Sequence, residues 1–389
     1  MSGIEIPRLG GKPIGSKPYS GRGVGDAKPV TGEVCAKMRM RAAYLHHLGQ
    51  QLALSDLVTP RLVRGQVLVK ILFSGVCRSQ LMEIAGERGA DPWLPHLLGH
   101  EASGTVIEVG PGVTKVSPGD AVILSWIKGE GLDAPGAQYE HQGEAINSGS
   151  VTTFSTFSIV AENRVTLKPK GLAFDVAALF GCAVLTGAGM VLNELQPPID
   201  SSLVVLGLGG IGISALLTAV ALGLERVIAI DISEEKLEYA RLCGSHYTLN
   251  SKSVDATEVI QDITHGGADF CVESAGLTET IELGFGLIRD RGSLVFSSHP
   301  PDGQMITLPP HDLIRGKSIS GSWGGSCLPD RDVPRIYELI KDRIELLQLL
   351  LTHRYSLGDI NSAIADLAAG RVFRPLVVMD HPDKCESSS

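Results

Sequence analysis

From Ser202 to Asp231 the chain reads S-L-V-V-L-G-L-G-G-I-G-I-S-A-L-L-T-A-V-A-L-G-L-E-R-V-I-A-I-D. No other stretch restricts the fold as much. The short apolar run Leu203 to Leu206 predicts a buried parallel strand. Gly207, Gly209 and Gly212 follow in G-x-G-x-x-G spacing, with Gly210 between them. A helix is expected from Ile211 to about Leu222, then a second strand, Val227 to Ile230, ending at Asp231. Each glycine has a mechanical part: Gly207 for a sharp turn, Gly209 for backbone approach to a pyrophosphate, Gly212 for close helix–strand packing. The helix N-terminus offers free N–H groups to phosphates. Asp231 lies nineteen residues beyond Gly212, where a carboxylate accepts hydrogen bonds from an adenosine ribose and repels a 2′-phosphate. The unit therefore predicts dinucleotide binding, with NAD favoured.

The same stretch is free of charge over the twenty-two residues Leu203–Leu224, long enough to cross a bilayer. Five of those residues are glycine and four of these crowd into six positions, which a strand–turn–helix explains and a membrane span does not. With 389 residues the chain can build two domains with real cores. A formal charge of −9 leaves no basic footprint for nucleic acid. No hydrophobic signal segment opens the chain, so neither a membrane nor secretion is expected. The seven cysteines (Cys35, Cys77, Cys182, Cys243, Cys271, Cys327 and Cys385) are odd in number, scattered and without a C-x-x-C pair. A reducing, cytoplasmic setting follows, and no disulfide framework.

Residues 1–39 are rich in Gly, Pro, Lys and Ser and read as a flexible arm, or as an upstream start ahead of Met38 or Met40. From Met40 short strands with glycine turns are expected: Gln66–Phe73, Gly104–Val109 and Ala121–Leu124, then a polar loop over 128–150 and strand-like alternation over Thr153–Val160. A helix over Asp175–Val191 carries Cys182. After Asp231, strands and helices alternate to about residue 320, as in a doubly wound sheet. A mostly helical tail, Arg331–Ala369, precedes a last strand, Pro375–Met379.

Cys77, His100 and Cys182 are three soft metal ligands, with Glu101 beside the histidine. Two thiolates and one imidazole with an open fourth position make a catalytic zinc site. Taken singly, each has an ordinary alternative: a buried small hydrophobe, a satisfied core histidine, an inert thiol.

The local contexts V-C-R-S-Q (76–80), L-G-H-E-A-S-G-T-V-I-E-V-G (98–110) and F-G-C-A-V-L-T-G-A-G (180–189) resemble the zinc-dependent alcohol dehydrogenases of the medium-chain dehydrogenase/reductase superfamily. The resemblance runs from about Met40 to Met379. It implies a Rossmann doubly wound α/β sheet, about 184–320, inserted in a β-rich GroES-like catalytic domain, about 40–183 plus 321–389. It also implies roles. Cys77, His100 and Cys182 would bind one catalytic zinc per subunit, with Glu101 beneath it and able to approach the metal. Ser79 would accept a hydrogen bond from the substrate hydroxyl and start a proton relay. Arg78 and Arg374 would meet the cofactor pyrophosphate, Thr186 and Ile211 would pack on the nicotinamide, and Lys236 would join Asp231 at the ribose. Trp126 and Phe154 would wall the substrate pocket, and His299 falls where relatives line it with an apolar residue.

Three departures stand out. The region of about 124–150 has none of the four cysteines that hold a second, structural zinc in many relatives, so a shortened lobe is expected. Gln80 replaces the usual aspartate behind the zinc-bound histidine, predicting weaker tuning through an accepting carboxamide. The relay histidine after the serine is missing; the chain there reads L-M-E-I. The expected activity is hydride transfer between NAD and a partly polar or polyhydroxylated alcohol, in a homodimer or homotetramer. A zinc-free quinone or enone reductase of the same superfamily and a non-catalytic NAD-binding protein are the alternatives.

Overall fold

The computed structural model of the chain describes residues 38–297 and 299–381. The amino-terminal arm lies outside the described residues through Lys37; Arg39 already opens a strand.

Six parallel strands form one sheet, in the order Tyr247–Asn250, Arg226–Asp231, Ser202–Leu206, Ala268–Glu273, Ile288–Phe296, Ser318–Gly321. Numbered along the chain this is 3-2-1-4-5-6, the doubly wound order, which opens a crevice at the carboxyl ends of its central strands. Ser202–Leu206 is buried throughout, as an apolar run sandwiched between helical layers must be. The helix Gly210–Ala221 is apolar nearly all round and correspondingly buried.

The rest is β-rich. A seven-stranded sheet runs Val165–Leu167, Ala121–Ser125, Glu101–Val109, Gln66–Gly75, Leu376–Val378, Arg354–Ser356, with Phe157–Ala161 also paired to Gln66–Gly75. A five-stranded sheet runs Ala53–Val58, Arg39–Leu45, His96–Leu97, Glu144–Asn147, Gln138–His141. Together they form a nearly closed barrel. Leu376–Val378 pairs antiparallel with Gly75, Ser74 and Phe73, so the chain leaves the β-rich part, builds the parallel sheet and returns. Among the described residues no helix is long and apolar enough to cross a membrane.

Several sequence expectations need correction. The polar stretch 128–150 is not all loop: Gln138–His141 and Glu144–Asn147 form a hairpin closed by Gln142 and Gly143, both at positive φ (54° and 83°). Each of these strands buries a single residue, Tyr139 or Ile146, too little to show as alternation. The helix expected over 175–191 breaks. Phe174–Leu179 ends, and a new helix, Ala183–Gly189, starts with Cys182 outside it and runs into a π-helical turn, Met190–Leu195. A Cβ at Gly181, in the break, would stand 2.3 Å from the Leu124 carbonyl oxygen and 2.8 Å from the Glu101 Cα.

The close packing attributed to Gly212 is borne out in the geometry: a Cβ there would lie 1.9 Å from the Gly207 carbonyl oxygen. Backbone cannot give way as a side-chain tip can. Gly212→Ala should therefore destabilise the protein by roughly 1–3 kcal/mol. Thermal unfolding checks this, and a melting temperature equal to the parent's would refute it.

Candidate active site

Cys77 ends the turn after strand Gln66–Gly75 and caps helix Arg78–Ala85. His100 stands between strands His96–Leu97 and Glu101–Val109. Cys182 sits in the helix break. Folding brings the two sulfurs and an imidazole nitrogen within 4.8 Å of one another. His100 Nε2 is buried and has no hydrogen-bond partner, so no protein atom competes for it. The Cys77 thiol is held well below the ordinary thiol range, first by its hydrogen bond with Cys182 and then, against burial, by the Arg374 guanidinium. The same bond and burial push Cys182 well above that range. Two thiols, one of them primed to ionise, and a free imidazole nitrogen fit a zinc ion with one position left open.

Beneath the trio, Glu101 is fully buried and bonded to Arg374 Nη2, itself buried. Burial pushes the Glu101 carboxyl up while Arg374 pulls it back. Burial alone would lower the Arg374 guanidinium; Glu101 and the thiols outweigh it. Arg374 is thus no solvated surface charge. It also nears the glycine turn, its Nη1 being 3.7 Å from where a Gly210 Cβ would stand.

A cavity of about 250 Å³ opens on the trio. Ser79, Trp126, Thr186, Ile211, His299 and Trp323 are among the residues around it, together with Arg78. Ser79 Oγ and Thr186 Oγ1 are buried there without partners. Trp126 and Trp323 meet edge to face at 5.0 Å, and His299 approaches Trp323 at 6.2 Å. Phe154 is not in this wall. It is fully buried in the barrel core, against Gly99, and Trp323 supplies the second aromatic face instead. The sequence signal for Trp323 was a lone aromatic among small residues, S-W-G-G, in a turn; Arg88, also lining the cavity, has no signal at all.

At the other end of the crevice, Gly207 takes φ +88°, and a Cβ there would meet Ala275 N at 2.6 Å. Gly209 differs: its φ is −81° and a Cβ there would meet nothing within 4 Å. Neither strain nor packing asks for glycine at 209. An empty space in front of a helix N-terminus suits a pyrophosphate. Asp231 is buried and fastens the turn, accepting from the N–H groups of Leu208 (2.8 Å), Ile232 (2.8 Å) and Ser233 (3.0 Å), with Lys236 Nζ at 3.7 Å. Asp231 and Lys236 lie away from the trio's cavity.

A larger cavity, about 830 Å³, lies on the far side of Gln80 and His100 and is not lined by either thiol. Glu83, Asp91 and His96 cluster at it, but His96 already bonds Asp91 (2.8 Å) and the Leu97 carbonyl (2.9 Å), so the group needs no ion.

Gln80 departs from expectation. Its Oε1 accepts from the Cys77 N–H at 2.9 Å, which turns its Nε2 toward His100 Nδ1. The carboxamide donates to the histidine rather than accepting from it. That favours the tautomer with hydrogen on Nε2, the atom a metal needs bare. A carboxylate could serve both Cys77 N–H and His100 Nδ1–H. Gln80→Glu should hold zinc about ten-fold more tightly. Competition with a chelator measures this, and equal or faster zinc loss would count against it.

Two family profiles match the chain: "Alcohol dehydrogenase GroES-like domain" over residues 63–170 and "Zinc-binding dehydrogenase" over residues 210–342. Together they cover more than half of it. The S-(hydroxymethyl)glutathione dehydrogenase of Paracoccus denitrificans is 28% identical over 379 residues, covering 88% of this chain and 100% of that protein. Benzyl alcohol dehydrogenase from Acinetobacter calcoaceticus superposes with a TM-score of 0.80 at 29% identity, over 88% of this chain and 100% of that one. An alcohol dehydrogenase zinc-binding domain protein from Burkholderia ambifaria gives 0.82 at 27%, over 89% and 100%. With the Cys77, His100 and Cys182 cluster, the doubly wound sheet and the β-rich barrel, this chain belongs to the zinc-binding alcohol dehydrogenases of the medium-chain dehydrogenase/reductase superfamily.

Proposed function

We propose that this enzyme is an NAD-dependent dehydrogenase of a small, partly polar alcohol, with its zinc on Cys77, His100 and Cys182. One observation carries the reading: the unpartnered atoms His100 Nε2, Ser79 Oγ and Thr186 Oγ1 and the two thiols converge on one cavity bordered by Ile211 of the glycine-turn helix. Bound there, zinc supplies the Lewis acidity that loosens a hydroxyl proton, and NAD supplies the hydride acceptor.

The chain's own residues do the rest. Ser79 Oγ accepts the hydrogen bond of the substrate hydroxyl and takes its proton onward. Thr186 and Ile211 hold one face of the nicotinamide. Arg78, with Arg374 and the N–H groups at the start of helix Gly210–Ala221, faces the pyrophosphate. Gly207, Gly209 and Gly212 shape that turn. Asp231, with Lys236, accepts from the ribose and disfavours a 2′-phosphate, which is the argument for NAD over NADP. Glu101 sets the charge beneath the zinc ligands. His299, Trp126 and Trp323 line the substrate side, and the histidine favours polar substituents.

On this reading residues of about 40–183 and 321–389 form the catalytic domain around a dinucleotide domain of about 184–320. The protein works in the cytoplasm as a homodimer or homotetramer.

A panel of alcohols and polyols tests the activity, read as reduced-nicotinamide absorbance with elemental analysis for zinc. Turnover of none of them would overturn it, and turnover without zinc would point to a metal-free reductase. Two variants probe the parts. Gly209→Ala should keep the parental melting temperature yet weaken NADH binding at least about ten-fold, because only the cofactor needs that space; unchanged NADH affinity in a fluorescence titration would refute this. His299→Ala should lower kcat/KM for polyhydroxylated alcohols relative to simple ones; an unchanged ratio would refute its pocket role.

A further inference from the structure

The cavity's charge runs against that of the chain. The sequence has 43 acidic and 34 basic residues, yet no aspartate or glutamate lines the cavity, while Arg78 and Arg88 do. Arg78 has a prospective partner in the cofactor pyrophosphate. Arg88 has none: it forms no ion pair or hydrogen bond among the described residues. Exposed arginines elsewhere divide: Arg289, Arg315 and Arg331 each bond a carboxylate, whereas Arg61, Arg64 and Arg291 do not, and what sets Arg88 apart is its place in the lining of this cavity.

Arg88 is unpaired but not loosely placed. Helix Arg78–Ala85 stops at Gly86, whose N–H and that of Glu87 return to Glu83 and Met82. The next turn is pinned across the mouth of the cavity: the Asp302 N–H donates to the Glu87 carbonyl at 3.1 Å. Asp302 belongs to the loop that carries His299. The bond therefore ties together the segments that carry Arg88 and His299, and both residues line the cavity. Both side chains are exposed, whereas the thiols are buried at the cavity floor. The Trp126–Trp323 wall stands beside them. At about 250 Å³, with the Thr186 and Ile211 side given to the nicotinamide, the space leaves room only for a compact substrate.

We propose that the substrate is a compact alcohol bearing an anionic group, a carboxylate or a phosphate monoester, which Arg88 and His299 hold at the rim while its hydroxyl reaches the floor. This deepens the alcohol dehydrogenase reading and rests on it. A planar guanidinium matches both anions through paired hydrogen bonds, and the tryptophan edges limit the water competing for it.

The test compares 1,4-butanediol, 4-hydroxybutyrate and 4-hydroxybutyl phosphate as substrates of the zinc-loaded enzyme and of Arg88→Gln and Arg88→Lys. At least one anionic alcohol should exceed the diol in kcat/KM by about ten-fold or more, mainly through KM. Arg88→Gln should abolish most of that ratio, Arg88→Lys should retain part of it, and added salt should shrink it. The arm that wins tells carboxylate from phosphate. Because the readout is a ratio within one variant, a general loss of activity cancels. A second measurement does not need turnover: acetate and inorganic phosphate are titrated against the fluorescence of Trp126 and Trp323. A saturable response lost in Arg88→Gln upholds the anion site even if no alcohol is oxidised, and in that case the dehydrogenase reading alone fails. Equal kcat/KM for diol and anions, a ratio untouched by Arg88→Gln, or no saturable response to either anion would overturn the proposal.

Discussion

The site stands on a carboxylate and a guanidinium bonded to each other with almost no solvent access. Glu101 leaves the strand Glu101–Val109 one residue after His100; Arg374 comes from the last segment of the described chain. Their pairing joins the edge of the barrel that carries His100 to the segment that enters the return strand, and the other end of the same guanidinium borders the glycine turn at Gly210. Such a pair adds little net stability, since both charges give up their hydration. Its value lies in what it fixes. Taking away either member would leave the other buried and unmatched, at about 3–5 kcal/mol. The charge beneath the thiols and the charge beside the glycine turn are therefore one unit, and neither can be adjusted alone.

The parallel sheet was legible because one stretch carries several independent constraints: a buried strand, spaced glycines, a helix and an acid closing the next strand. The meeting of the two thiols and the imidazole was legible only through their neighbours, since nothing in their separations of 23 and 82 residues foretells it. What escaped notice has physical causes. The Gln138–Asn147 hairpin buries too few side chains to leave a pattern. Cys182 looked helical because its neighbours are apolar, and the break comes from the tertiary demand at Gly181 for room beside Glu101. Phe154 was assigned to the pocket by its place in the motif, but its ring faces the barrel interior. Arg88 left no trace, because an arginine in a glycine-rich turn reads as solvated until the fold closes a wall opposite it.

The pocket combines a general chemistry with particular tuning. Relatives at 27–29% identity share the barrel and the sheet over nearly their whole lengths. Around the thiols this chain has the Gln80 carboxamide with its donor side to His100, the Trp126–Trp323 pair, and Arg78 and Arg88 in the cavity lining. Substrate choice in such enzymes resides in contacts of this number.

The residues flanking the ligands carry a thermodynamic consequence. A Cβ on Gly75 would stand 2.1 Å from Glu101 Oε1, just as one on Gly181 would strike the Glu101 backbone, and each glycine lies within two residues of a sulfur ligand. The segments that bear the thiols are drawn together by folding itself, so the entropy of gathering three distant donors is spent before an ion arrives. Ion capture and the cooperative transition of the polypeptide are then two faces of one equilibrium. An ion held by these three donors would be released under conditions that loosen the native state, and would in turn hold that state closed.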